Sequence, residues 1–206
     1  MKIKVCGIRD PRTAAETIRL GADMIGIICC PHSRRYVDEQ TACAITKAAK
    51  KAGGCVVVVF VDLDAKEMQQ AMDKIGADII QLHGDIARQQ FKYLSPEISK
   101  IFTVPVNVTG QPVIEMMSFL PLLNPQRDYV LFDNIKPGSG RSYSYAKLPS
   151  TKKVPIIIAG GVNANNVADI LKNTLASAVD VSSGVENEYG DKDLKKIAAF
   201  IAAVRK

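Results

Sequence analysis

Tryptophan is absent from the 206 residues, and histidine occurs only twice, at His32 and His83. The first gap removes the best stacking side chain for nucleobases, and the second leaves too few imidazoles for a metal site built from several of them. No apolar run approaches the roughly 18 residues that a membrane helix needs. The opening segment Met1 to Val5 is interrupted by Cys6 and Gly7 before it resembles a signal peptide, so a cytoplasmic location is expected. C-x-x-C spacing is also missing. Cys29 and Cys30 are adjacent and the other three cysteines are scattered, a pattern of reduced thiols and not of a disulfide framework. The net charge of +6 is spread over pairs such as Lys50-Lys51, Lys152-Lys153 and Lys195-Lys196. These read as solvated helix faces, and neither nucleic acid nor a membrane is expected as a partner.

What remains is a globular composition, with 47% hydrophobic and 23% charged residues and a mean hydropathy of +0.05. The length suits one domain, residues 1–206, with a single sizeable core. Short β-branched runs alternate with segments of helical period. Strands are expected at Ile3 to Ile8, Met24 to Cys29, Val56 to Val61, Asp78 to Leu82, Lys100 to Val104, Tyr129 to Phe132, Val154 to Ala159 and Ala178 to Ser182. Helices are expected at Pro11 to Leu20, Asp38 to Lys51, Asp64 to Ile75, Ile86 to Leu94, Pro112 to Leu122, Tyr143 to Leu148, Val162 to Leu171 and Lys192 to Val204. The unbroken apolar run from Val56 is the mark of a parallel strand covered on both faces. An internal echo, Gly21-Ala22-Asp23 and Gly76-Ala77-Asp78, puts glycine between a helix end and a strand start, where a left-handed residue stops the helix. Eight such units predict an α/β fold of the (β/α)8 TIM-barrel type; no Gly-x-Gly-x-x-Gly follows the first strand to support an open dinucleotide-binding sheet.

In that fold the chemistry sits at the C-terminal ends of the strands. Cys6 ends the first strand; it either packs, as free cysteine commonly does, or reaches the barrel mouth. Arg34 and Arg35 follow the second strand, either solvated or offering a guanidinium fork to a carboxylate. His83 and Asp85 follow the fourth; His83 is either a structural or a catalytic histidine, and Asp85 could cap the helix that starts there. Asp133 closes the sixth, where partial burial would suit it to donate a proton and amide bonding is the plainer role. After the last two strands, Gly160-Gly161 and Asp180-Val181-Ser182-Ser183-Gly184 offer backbone amides, hydroxyls and a helix N-terminus to a phosphate, the recurring arrangement of the fold.

The successive motifs Lys4-Val5-Cys6-Gly7-Ile8, Ser33-Arg34-Arg35-Tyr36-Val37, Gln81-Leu82-His83-Gly84, Leu131-Phe132-Asp133, Ala159-Gly160-Gly161 and Asp180 to Glu186 resemble those of phosphoribosylanthranilate isomerase, in order and over nearly the whole chain. The resemblance implies a cofactor-free Amadori rearrangement in tryptophan biosynthesis, on a phosphorylated small molecule, by a monomer or homodimer with no metal. It assigns the base to Cys6, the acid to Asp133 and anthranilate recognition to Arg35; Gly160, Gly161, Ser182, Ser183 and Gly184 would take the phosphate, with His83 and Asp180 as further contacts. The chain departs from the family pattern after the acid. Pro137-Gly138-Ser139-Gly140 stands where a Gly-Gly-Ser/Thr-Gly loop is usual, and Ser144 replaces an aspartate while keeping the ability to cap. The related histidine-pathway aminoaldose isomerase places an aspartate where Cys6 stands, and a degenerate barrel that only binds phosphate would have no need of Cys6, Asp133 and Arg35 together.

Overall fold

Eight parallel strands run in chain order around a closed barrel: β1 Lys2–Cys6, β2 Met24–Ile28, β3 Cys55–Phe60, β4 Ile79–Leu82, β5 Ser99–Val106, β6 Tyr129–Asn134, β7 Ile156–Ile158 and β8 Ala178–Val181. The structure is a computed structural model and describes all residues except Pro137, Ser139, Ser150 and Lys152; the expectations attached to Pro137 and Ser139 therefore lie outside the described residues. The chain divides into two units, Lys4–Phe102 and Thr103–Lys206 with Met1–Ile3.

Within Lys4–Phe102 the local signals and the fold agree. Val56 to Phe60 of β3 are all buried, and burying such a side chain fully contributes about 1.5–3 kcal/mol. Helix α1, Pro11–Arg19, starts where the Asp10 carboxylate accepts from the Thr13 N–H at 2.8 Å and Pro11 occupies the first turn. Asp38 caps α2, Glu39–Lys51, in the same way, and its hydrogen bond to Thr41 holds its carboxyl below the usual range. Helix α3, Ala65–Ile75, carries a full capping box, with Asp64 accepting from the Glu67 N–H at 2.8 Å and Glu67 accepting from the Asp64 N–H at 3.0 Å. It stops at Gly76, whose φ of 72° is the left-handed cap expected of the repeated Gly-Ala-Asp. The acid of that repeat anchors the next strand: Asp78 accepts from the Val56 N–H at 2.8 Å and pairs with Lys50 at 2.8 Å. The fourth helix is shorter than its period suggested. Helix α4 covers only Asp85–Gln89 and tightens into a 3₁₀ turn at Gln90–Tyr93, and Gly84, not Asp85, is its cap residue.

Thr103–Lys206 departs further from expectation. The segment Pro112 to Leu122 forms two 3₁₀ turns, Met116–Ser118 and Leu120–Leu122, instead of a helix. Pro121 has no N–H to give an α-helix. Upstream, the Asn107 carboxamide oxygen accepts from the Thr109 and Gln111 N–H groups, closing a turn that lets Val106 bridge Pro112. Tyr143 to Leu148 also fails to become a helix. Only Tyr145–Lys147 turns, and Ser144 makes no capping bond. Tyr143 and Tyr145 are two residues apart and both are anchored, Tyr143 Oη donating to the Phe132 carbonyl at 3.2 Å and Tyr145 Oη to the Gly160 carbonyl at 2.5 Å. The expected helix from Val162 is delayed to α5, Val167–Lys172, because Asn163 and Asn166 spend their side chains on loop amides and on the Gly161 carbonyl. Helix α6, Leu194–Arg205, begins under an Asp193 cap and buries Ile197, Phe200, Ile201 and Val204. No helix of the described residues is long and apolar enough to cross a membrane.

Candidate active site

In Lys4–Phe102, the two arginines that follow β2 differ in burial. Arg34 is exposed, while Arg35 is only 7% exposed and donates its backbone N–H to Ser33 Oγ at 3.1 Å. The Ser33 to Tyr36 turn is fixed by the Tyr36 N–H on the Ser33 carbonyl and by a bridge from Tyr36 to Ile28 at the end of β2. Burying a guanidinium is costly unless polar groups compensate it, so the two side chains sit in different environments.

Cys6 is the last residue of β1, 7% exposed and opposite Gly26 of β2. Gly26 has no side chain where the cysteine needs room: a methyl group on it would lie 2.7 Å from Cys6 Sγ and 3.1 Å from Lys4 Nζ. Sequence reasoning passed over Lys4. Strand alternation puts residues i and i+2 on one face, so Lys4 and Cys6 share a face, and the lysine is fully buried. That parity was the available signal.

His83 follows β4 and is half-buried. Burial, then the charges of Lys4 and Arg88, push its pKa down to about 4. The Gln81 carboxamide donates to its Nδ1 at 3.3 Å, which fits a neutral ring, and Arg88 donates to its carbonyl at 2.7 Å. Asp85 instead pairs with Arg88 at the start of α4 and is mostly solvated.

In Thr103–Lys206, the loops after β6 and β7 meet at Asp133. Asp133 is half-buried near the end of β6, and its Oδ1 accepts from the Asn134 N–H at 2.8 Å. A methyl group on Gly160 would lie 2.9 Å from that same Oδ1 and 3.0 Å from the Tyr143 ring. With φ of 82° and 71°, Gly160 and Gly161 follow a path that other residues rarely adopt. The Tyr143 and Tyr145 rings lie 4.4 Å apart at a 46° tilt, and burial with the Asp133 charge pushes both hydroxyls well above their ordinary pKa, so they remain donors. Neither tyrosine was expected at the site.

The loops after β7 and β8 touch each other, a methyl group on Gly184 lying 2.2 Å from the Val162 carbonyl oxygen. Among the described residues, no backbone carbonyl accepts from the N–H groups of Gly160, Gly161, Ser183 or Gly184. The donors on offer are therefore loop amides and serine hydroxyls. In the loop after β7 the expected helix start is displaced, α5 beginning only at Val167, and the loop after β8 carries a single 3₁₀ turn, Ser183–Val185. Behind the second loop, Lys192 Nζ donates to the Ser182 carbonyl at 3.0 Å, Ser182 Oγ at 3.1 Å and Glu186 at 2.8 Å. Asp180, on β8, is buried. Among the described residues no three His, Cys, Asp or Glu side chains are grouped to hold a metal ion.

A closed parallel barrel with a thiol, a buried arginine, an acid and paired glycine-serine loops following its strands defines a (β/α)8 enzyme of the kind that works at the C-terminal ends of its strands. Residues 3–203 match the family described as N-(5'phosphoribosyl)anthranilate (PRA) isomerase, and the chain belongs to that family. An N-(5'-phosphoribosyl)anthranilate isomerase of Streptococcus pneumoniae is 36% identical over 209 residues, covering 99% of this chain and 96% of its own. The chloroplastic isomerase 1 of Arabidopsis thaliana is 35% identical over 98% of this chain and 74% of its own. The phosphoribosyl anthranilate isomerase of Thermus thermophilus superposes with a TM-score of 0.85 at 28% identity, covering all of this chain and 98% of that one. A further isomerase structure, TM-score 0.80 and 26% identity with coverage of 100% and 98%, holds reduced 1-(o-carboxyphenylamino)-1-deoxyribulose 5-phosphate.

Proposed function

We propose that the chain converts N-(5'-phosphoribosyl)anthranilate to 1-(2-carboxyphenylamino)-1-deoxyribulose 5-phosphate in tryptophan biosynthesis, with Asp133 as general acid and Cys6 as general base. The family match over residues 3–203 carries the activity. The residue roles are supported by the placement of each group at the end of its strand and by what surrounds it.

Asp133 protonates the furanose ring oxygen, and the C1–O bond breaks to leave a protonated Schiff base between C1 and the anthranilate nitrogen. Cys6, as thiolate, takes the proton from C2; the electrons of that C–H bond form a C1–C2 double bond and neutralise the nitrogen. The resulting enolamine tautomerises to the 2-ketone. Cysteine suits the base role because its reference pKa near 8.5 is close to neutrality and a neighbouring cation favours the thiolate. Arg35 binds the anthranilate carboxylate through its planar fork. The amides of Gly160, Gly161, Ser183 and Gly184, with the Ser182 and Ser183 hydroxyls, bind the phosphate, and Lys192 holds that loop in shape. His83 and Asp180 are further contacts, His83 as a neutral ring.

Residues 1–206 act as one catalytic domain in this reading, since both units contribute strands to a single barrel. All five cysteines are free thiols, which suits the cytoplasm. The test is turnover of generated N-(5'-phosphoribosyl)anthranilate by the purified chain, followed as decay of anthranilate fluorescence with no host isomerase present. Decay that scales with enzyme is expected, and none at high enzyme would refute the reading.

A further inference from the structure

Lys4 is a lysine with no solvent exposure in the strand that carries the proposed base. Burying an ammonium costs several kcal/mol unless anionic or polar groups compensate it, so its place calls for a reason. Its geometry supplies one. Lys4 and Cys6 are two residues apart on β1 and share a face, and the neighbouring strand presents Gly26 opposite Cys6. Lys4 Nζ and Cys6 Sγ both abut the one methyl-sized space that Gly26 leaves beside them, at 3.1 and 2.7 Å from its centre. Two atoms on the edge of one such space are less than about 6 Å apart, the range over which a cation favours an anion.

We propose that Lys4 is a positioning residue for Cys6: its ammonium, lodged beside Sγ in the space left by Gly26, stabilises the thiolate and fixes its direction. The inference rests on the reading of Cys6 as the base. Around this pair β2 brings no charge, its contribution being Gly26, and the residue that β4 leads into is His83. That ring feels the Lys4 charge and titrates near 4, so it is neutral at pH 7. Lys4 is then the cation beside the sulfur on β1, and β8, next to β1 in the barrel order, carries the buried carboxylate of Asp180. An alanine at position 26 would force Sγ, Nζ or both away.

The experiment is the pH dependence of Cys6 alkylation by iodoacetamide in the full chain, resolved by peptide mass spectrometry from the other four cysteines, in wild type and Lys4→Met. Methionine keeps the unbranched stem and removes the charge. The pH midpoint reports thiolate formation and is insensitive to how easily the reagent enters. A folded Lys4→Met with a midpoint raised by one unit or more, and about tenfold slower alkylation at neutral pH, is the expected result; a folded variant with the wild-type midpoint overturns the proposal. If Lys4→Met does not fold, the Lys4 side-chain resonance in wild type decides. It should show an inflection at the Cys6 midpoint that vanishes in Cys6→Ala, and no such inflection overturns the proposal. The two readings fail separately: a raised midpoint with full turnover by Cys6→Ala keeps the pair and removes the base, whereas an unmoved midpoint with inactive Cys6→Ala keeps the base and removes Lys4.

Discussion

Lys4–Phe102 and Thr103–Lys206 use similar lengths of chain differently. The first spends most of its residues on regular βα units, with helices of 9, 13 and 11 residues whose starts are capped by Asp10, Asp38 and Asp64, and shortens only its fourth, α4, to 5. The second replaces the helices after β5 and β6 with 3₁₀ turns and shortens the one after β7 to 6 residues. Of these segments, those after β6 and β7 bring Tyr143, Tyr145 and Gly160 to Asp133. One half is thus built mainly from βα units set by local signals, and the other carries Asp133 and the glycine-serine segments among turns and loops. Apolar side chains such as Val108, Met117, Leu122 and Leu175 stand exposed where cover has been shortened.

The largest effects should come from removing one reacting group in each half. Cys6→Ala and Asp133→Asn, both folded by circular dichroism, should each lower kcat by about 10² to 10⁴-fold. Near wild-type turnover by either would confine the chemistry to the other half. Next, the recognition assigned to the first half should depend on one arginine only. Arg35→Lys keeps the charge and loses the fork, and since hydrogen bonds to charged groups contribute about 1.5–3 kcal/mol, KM should rise at least roughly tenfold. Arg34→Lys, on an exposed side chain, should leave KM unchanged.

The third prediction concerns acid sensitivity of the first half. His83 titrates near 4 in the folded chain, against 6.5 as its ordinary value. Between those values the unfolded chain binds the extra proton, so stability is complete above about pH 6.5 and is lost as pH falls toward 4. Unfolding free energies of His83→Gln from urea titration should fall less than those of wild type between pH 7 and pH 4, by an amount on the order of 1–3 kcal/mol. Equal falls would mean that the ring is not held neutral. The smallest effect sharpens the contrast in capping: Asp64→Ala should cost about 1 kcal/mol in thermal or urea unfolding, while Ser144→Ala, whose side chain caps nothing, should cost close to none.

Legibility in the sequence followed the same division. Strand order, the first three helices and the Gly76 stop could be read because each depends on neighbours in the chain: an apolar run, a capping aspartate, a glycine before an acid. The expected helices at Pro112 to Leu122 and Tyr143 to Leu148 failed because distant partners decide those segments. Apolar spacing does not reveal that Tyr145 reaches the Gly160 carbonyl, nor that Asn107 closes a turn. At the site, strand ends marked Cys6, Asp133 and the glycine-serine loops. Arg35 was singled out from Arg34 by the family resemblance and not by its spacing, and Lys4 was legible only through its parity with Cys6, a signal easily missed beside a cysteine.

The central claim for the second half is that regular structure was given up so that loop amides could take the substrate phosphate. A crystal structure with reduced 1-(o-carboxyphenylamino)-1-deoxyribulose 5-phosphate bound at saturation tests this most directly. The account predicts phosphate oxygens within hydrogen-bond distance of the Gly161 and Ser183 or Gly184 amides, with no helix N-terminus in contact. A phosphate seated elsewhere, with the loops after β7 and β8 making no contact to the ligand, would contradict it.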